Sequence, residues 1–158
     1  MDIKYCHVCI SCKDWQMISK FYQDVFDCIP LDPIRHMQGQ WAGELIAAEN
    51  KEEAEVVGEH IMVPGYGDNG PTLEILSYKP LGKDVPLECY DFGFTHICFE
   101  TPGNIVALLD RFLEHGGTLI SQFEDPYKER VIYGRDPEGN IVEIRRPNDV
   151  PDTIRVTK

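Results

Sequence analysis

The sequence predicts an α+β fold built from two βαβββ modules in tandem, residues 1–82 and 83–158. Three observations carry this reading. His7-Val8-Cys9-Ile10 returns as His96-Ile97-Cys98-Phe99, and a helical pattern follows each copy. Leu73-Glu74-Ile75, late in the first half, returns as Val142-Glu143-Ile144, late in the second. Between these markers, short strand-like runs are separated by clusters of Gly, Pro, Asn and Asp, the residues that punctuate strands. The His-to-Glu interval is 67 residues in the first half and 47 in the second. The excess of 20 is assigned to 34–55 and to the loop at 64–71.

The elements follow in order. From Tyr5 to Cys12, Cys6, Val8, Ile10 and Cys12 alternate with His7, Cys9 and Ser11, the period of a strand. Asp14 suits a helix N-cap, and Trp15, Ile18, Phe21, Tyr22, Val25 and Phe26 recur at helical steps. Pro30 and Pro33 read as the exit from that helix. In 34–55, Trp41 and Leu45-Ile46 fit a strand or a short helix, and Asn50 to Glu53 a solvated turn. Strands are predicted from Val56 to Val63 and from Thr72 to Tyr78, with a Gly- and Pro-rich loop between them. Pro80, Gly82 and Pro86 mark a connector. The second half gives a strand from Phe94 to Glu100 and a helix beginning at Thr101-Pro102. That helix carries the stripe Ile105, Leu108, Leu109, Phe112 and Leu113 and stops at Gly116-Gly117. Short strands follow at Thr118 to Phe123, Val131 to Gly134 and Ile141 to Arg145, and a charged, proline-containing tail runs from Pro147.

Composition narrows the function. The chain has 158 residues, 42% of them hydrophobic, enough for a packed core. Its net charge of −12 repels nucleic acid and anionic membrane surfaces, while a small anionic ligand in a locally basic pocket remains compatible. Apolar runs are too short to span a bilayer and the first residues lack a basic head with an apolar stretch, so the expectation is a cytoplasmic protein. The six cysteines are expected to be reduced thiols, because a chain this long and this apolar needs no disulfide staples.

Strand parity points to a site. Val8 and Ile10 face one way and His7 the other; Ile97 and Phe99 oppose His96; Glu74 and Glu143 each lie between two aliphatic residues. With helices covering the apolar faces, His7, Glu74, His96 and Glu143 would point to a concave inner surface. A two-fold repeat would bring them together. Two imidazoles and two carboxylates suit one divalent ion: zinc, nickel, cobalt, manganese or iron. A lone His or Glu on a strand is usually solvated or hydrogen-bonded; the repeated pair is what favours ligands. Cys6, Cys9 and Cys12 spell C-x-x-C-x-x-C, but on a strand consecutive sulfurs would lie ~10 Å apart and alternate faces, which disfavours a metal cluster.

These residues resemble the vicinal oxygen chelate superfamily, the glyoxalase, bleomycin resistance protein and extradiol dioxygenase group. The resemblance rests on His7 to Ile10 with Asp14, Phe21-Tyr22, Leu73 to Ile75, His96 to Phe99, and Asp136-Pro137-Glu138-Gly139-Asn140 leading into Ile141 to Ile144. It implies paired modules forming a curved mixed sheet around a metal cavity. It also implies a homodimer, for which Trp15, Trp41 and Phe92 are interface candidates. The metal set is similar to that of lactoylglutathione lyases. It implies a metal-dependent lyase or isomerase in which Glu143 or Glu74 moves a proton beside a metal-chelated carbonyl, with His7 and His96 holding the ion. Methylmalonyl-CoA epimerases typically have Gln where Glu74 stands. An extradiol dioxygenase would hold ferrous iron on His7, His96 and Glu143 alone. Antibiotic-sequestering members lack the metal set. Asp27 departs from the family's usual Gly at the end of the first helix, and Thr101-Pro102-Gly103 departs from its usual acidic cap. Arg35, Lys128, Arg130 and Arg145 read as surface charges rather than as a grip on a thiol carrier.

Overall fold

A computed structural model describes residues 3–121 and 130–147. The chain divides into two units, Met1–Val85 and Pro86–Lys158. The first runs β1 (His7–Cys12), α1 (Trp15–Phe26), β2 (Ile29–Gln38), α2 (Gln40–Leu45), β3 (Glu55–Met62) and β4 (Thr72–Lys79). Its sheet has the order β1-β4-β3-β2, with β1 parallel to β4 and the other pairs antiparallel. The second runs β5 (His96–Glu100), α3 (Ile105–Glu114), β6 (Thr118–Ser121), β7 (Val131–Arg135) and β8 (Ile141–Arg145). Its sheet repeats the scheme as β5-β8-β7-β6, again with only the first pair parallel. Tandem βαβββ modules are therefore the architecture. Among the described residues no helix is long and apolar enough to cross a membrane.

In the first unit the parity of β1 is as predicted: Ile10 and Cys12 are buried, while His7, Cys9 and Ser11 lie on the open face. Helix α1 covers the buried face with Ile18, Phe21, Tyr22, Val25 and Phe26, packing across β1, β3 and β4. Asp14 starts it, its Oδ1 accepting from the Gln16 and Met17 amides at 3.1 and 3.0 Å. Replacing Asp14 by Ala strands both donors. It is expected to cost about 1 kcal/mol, a fall of roughly 2–4 °C in Tm by calorimetry for a chain of this size. The helix stops where Asp27 turns left-handed at φ 57.

One sequence expectation is corrected here. Pro30 and Pro33 do not lie in a helix exit but within strand β2. The strand is tolerated because it is the sheet edge, where a missing N–H breaks no inner ladder, and its register shifts between Leu31 and Arg35. The uncertain stretch resolves into the end of β2, then α2 and a 3-10 turn at Lys51–Glu53. This insertion brings Ala42 and Ala54 against Val56 and Leu76, with Met37, Ile46, Ala48 and Tyr78 packed around them. Val56 and Leu76 share the face of β3 and β4 that carries His60 and Glu74. The insertion thus walls one end of that face with apolar side chains.

In the second unit a strand was expected from Phe94, and β5 begins at His96. Its helix does not begin at Thr101-Pro102. Asn104 caps it instead, accepting from the Val106 and Ala107 amides at 3.0 and 3.2 Å, while Thr101 closes a preceding turn on the Gly103 amide. Ile105 and Phe112 are its buried residues, and Leu113 of the predicted stripe is exposed. The expected strand over Thr118 to Phe123 is described only as far as Ser121; its remainder and the tail from 148 lie outside the described residues. Buried Asp136 locks the turn into β8, accepting from the Glu138 and Asn140 amides at 3.0 and 2.9 Å.

Candidate metal centre

Each unit brings one predicted histidine beside one predicted glutamate, because the first and last strands of each module are parallel neighbours. In the first, Cys9 is the register partner of Glu74 and His7 that of Thr72. In the second, Cys98 faces Glu143 and His96 faces Ile141, the same offset. His7 Nε2 stands 3.5 Å from Glu74 Oε2, and His96 Nε2 3.1 Å from Glu143 Oε2. Both glutamates are largely covered and both histidines are more open, with side-chain exposures of 15% and 13% against 39% and 34%. Among the described residues no group of three or more His, Cys, Asp and Glu is gathered as a metal site.

The sequence reading missed the partner on the third strand. His60 on β3 is the antiparallel register partner of Glu74. Its Nε2 lies 2.9 Å from Glu74 Oε1 and its Nδ1 2.8 Å from Thr72 Oγ1. Tyr133 on β7 holds the equivalent position opposite Glu143, and its hydroxyl donates to Glu143 Oε2 at 2.8 Å. Each of these rings meets its module's histidine edge to face, at 5.2 Å for His7 with His60 and 5.4 Å for His96 with Tyr133. No shared letters link His60 to Tyr133, so the internal repeat did not reveal them. The predicted β3 strand contained the signal: parity from Val56 puts His60 on the face of Glu74. Arg35, read as a surface charge, also approaches Glu74, with Nη1 3.8 Å from Oε1.

Burial lowers the His60 pKa, and the Arg35 cation adds to this against the opposing pull of Glu74. Burial, with the Glu143 carboxylate next, pushes the Cys98 thiol up to about 11. Cys9, also raised chiefly by burial, shares a hydrogen bond with the Tyr78 hydroxyl at 3.4 Å. Both inner cysteines lie beside the carboxylates, Cys9 as register partner of Glu74 and Cys98 of Glu143. Cys12 turns to the opposite face and donates to the Leu76 carbonyl at 3.4 Å, so the C-x-x-C-x-x-C run does not converge. No disulfide joins any of the six cysteines. The two His–Glu pairs are of a donor type that suits a divalent ion of borderline hardness.

The pattern of the Glyoxalase/Bleomycin resistance protein/Dioxygenase superfamily matches residues 4–144. The fold is similar to that of a glyoxalase family protein from Bacillus cereus, with TM-score 0.73 and 16% identity over 92% of this chain and 95% of that one. It is also similar to the trypanothione-dependent glyoxalase I of Leishmania major, with TM-score 0.61 and 16% identity over 92% and 87%. A third likeness is to a mutant of the fosfomycin resistance protein FosX of Listeria monocytogenes, solved with Mn(II) and 1S,2S-dihydroxypropylphosphonic acid, with TM-score 0.58 and 14% identity over 92% and 93%. Comparison with curated proteins finds no match.

Proposed function

This chain belongs to the Glyoxalase/Bleomycin resistance protein/Dioxygenase superfamily, and from that premise we propose a metal-dependent lyase or isomerase, lactoylglutathione lyase-like, acting on a small carbonyl compound. The observation that supports it is the twofold recurrence of an imidazole Nε2 beside a carboxylate on parallel strands, at the same register offset in each module. His7, Glu74, His96 and Glu143 are the proposed ligands, within a homodimer. A bound divalent ion would supply Lewis-acid stabilisation of charge developing on the substrate's oxygens. The protein's own work is proton handling. Glu74 or Glu143 takes a proton from the carbon beside the carbonyl and returns it to the neighbouring carbon. His7 and His96 would hold the ion, and the apolar wall raised by α2 excludes water from one side of the first module's face.

One observation favours a second reading. The Arg35 guanidinium stands 3.8 Å from Glu74 Oε1, a cation that already partly neutralises that carboxylate. That suits a set of His7, His96 and Glu143 with ferrous iron, as in a dioxygenase, and oxygen consumption during turnover separates the two. Elemental analysis of the purified chain and of a His7→Ala/Glu143→Ala variant tests the common ground. One divalent metal per chain, absent from the variant, is the expected result, with methylglyoxal hemithioacetals and acyl-CoA epimers as the next substrates. Metal at equal levels in both proteins, or in neither after exposure to zinc, nickel, cobalt, manganese and iron, would remove the metal assignment and leave a small-molecule binder.

A further inference from the structure

We propose that His60 is a positioning residue that fixes the Glu74 carboxylate, pinning Oε1 so that Oε2 is the oxygen presented beside His7. The significance for metal binding rests on the ligand role proposed above for Glu74; the orientation itself does not.

The Glu74 contact assigns the proton on Nε2. A carboxylate only accepts, so the 2.9 Å contact to Glu74 Oε1 requires His60 Nε2 to carry hydrogen and donate. In a neutral ring Nδ1 is then an acceptor, and Thr72, 2.8 Å away, supplies the hydroxyl that donates to it. The ring is thus held at both ends by two residues of one strand, Thr72 and Glu74, which share a face of β4. Only 12% of the His60 side chain is exposed, so water does not compete freely for either nitrogen. An imidazole locked this way leaves the carboxylate little freedom to rotate. Oε2 remains directed at His7 Nε2, 3.5 Å away.

The second module supplies an independent comparison. Tyr133, at the matching register position, contacts the Glu143 oxygen that already faces His96. His60 instead takes the glutamate oxygen turned away from His7. The two carboxylates are therefore held in different ways: Glu74 across both oxygens from two sides, Glu143 with both contacts on Oε2. Groups that orient a ligand from behind typically change metal affinity 10- to 100-fold when removed.

The test has two readouts on the full-length protein. In the metal-free chain, ring-nitrogen NMR is expected to show His60 as the neutral Nε2–H tautomer, and that signature should be lost in Glu74→Ala. An Nδ1–H tautomer, or a signal that Glu74→Ala leaves unchanged, would overturn the proposal whether or not the protein binds metal. The second readout is a cobalt(II) titration followed by its visible bands. His60→Ala is expected to weaken cobalt 10- to 100-fold, His60→Gln, whose amide nitrogen mimics Nε2, to restore most of the loss, and His60→Ala to have no further effect in a Glu74→Ala background. An equal loss in both backgrounds would show that His60 acts other than through Glu74 and would overturn the inference. Wild-type protein that takes up no cobalt would defeat the metal assignment instead, with the tautomer still deciding the role of His60.

Discussion

Stripping divalent metal from the wild-type protein with a chelator is expected to lower its Tm by about 10 °C and to leave the Tm of a Glu143→Ala variant unmoved. A ligand that binds the folded chain alone stabilises it by RT ln(1 + [L]/Kd), about 4 kcal/mol at a thousandfold excess over Kd. For a domain of this size each kcal/mol is worth roughly 2–4 °C. The strands already hold His96 Nε2 and Glu143 Oε2 3.1 Å apart, and His7 and Glu74 nearly as close, so an ion entering there orders few groups that folding has left free. Glu143→Ala has a cost of its own, because it leaves the Tyr133 hydroxyl without its carboxylate acceptor. Each protein must therefore be compared with its own chelated form by calorimetry. The same downward shift in both, or none in the wild type after metal loading, would contradict the ligand assignment.

What the sequence made legible followed from period and repetition. The alternation of His7 and Cys9 with Val8 and Ile10 put the histidine on the open face of β1, and the returning His and Glu letters placed the second module's pair at the same offset. Both signals survive because a one-residue slip would turn the whole strand over, so the pattern is strongly constrained. Edge strand β2 was illegible for the opposite reason. Almost nothing along it is buried, so no alternation marks it, and its prolines read as punctuation although an edge accommodates them. The start of α3 was misplaced because Pro102 is a generic signal, whereas Asn104, two residues later, makes the capping bonds. His60 was missed because its role depends on a cross-strand register that no local motif encodes. Arg35 keeps a half-exposed side chain, as a surface charge would, and the ladder through Gly58 brings it near Glu74 from two strands away.

That ladder makes Gly58→Ala the substitution with the largest expected structural effect. Gly58 lies on β3 between Arg35 of β2 and Leu76 of β4. A Cβ there would overlap the Ile75 carbonyl oxygen and come within 2.9 Å of both the Ile75 carbonyl carbon and Leu76 Cδ2. The obstacle is mostly the backbone of the neighbouring strand, so no change of side-chain rotamer relieves it, and β3 and β4 must part locally. Overpacking of this kind costs about 3 kcal/mol at the upper end of its usual range, a fall in Tm of roughly 6–12 °C. Gly82→Ala is the control. An added Cβ there meets open space, and the change should stay within about 0.5 kcal/mol. The disturbance should also reach the site. His60 is two residues along β3 from Gly58, and its bond to Glu74 depends on the same strand spacing. Gly58→Ala, examined below its lowered Tm, should therefore lose the His60–Glu74 tautomer signature while the Tyr133–Glu143 contact persists in the other sheet. A variant that melts with the wild type, or that keeps the signature intact, would show that the strands yield without cost. The missing side chain would then have no bearing on how closely His60 approaches its carboxylate.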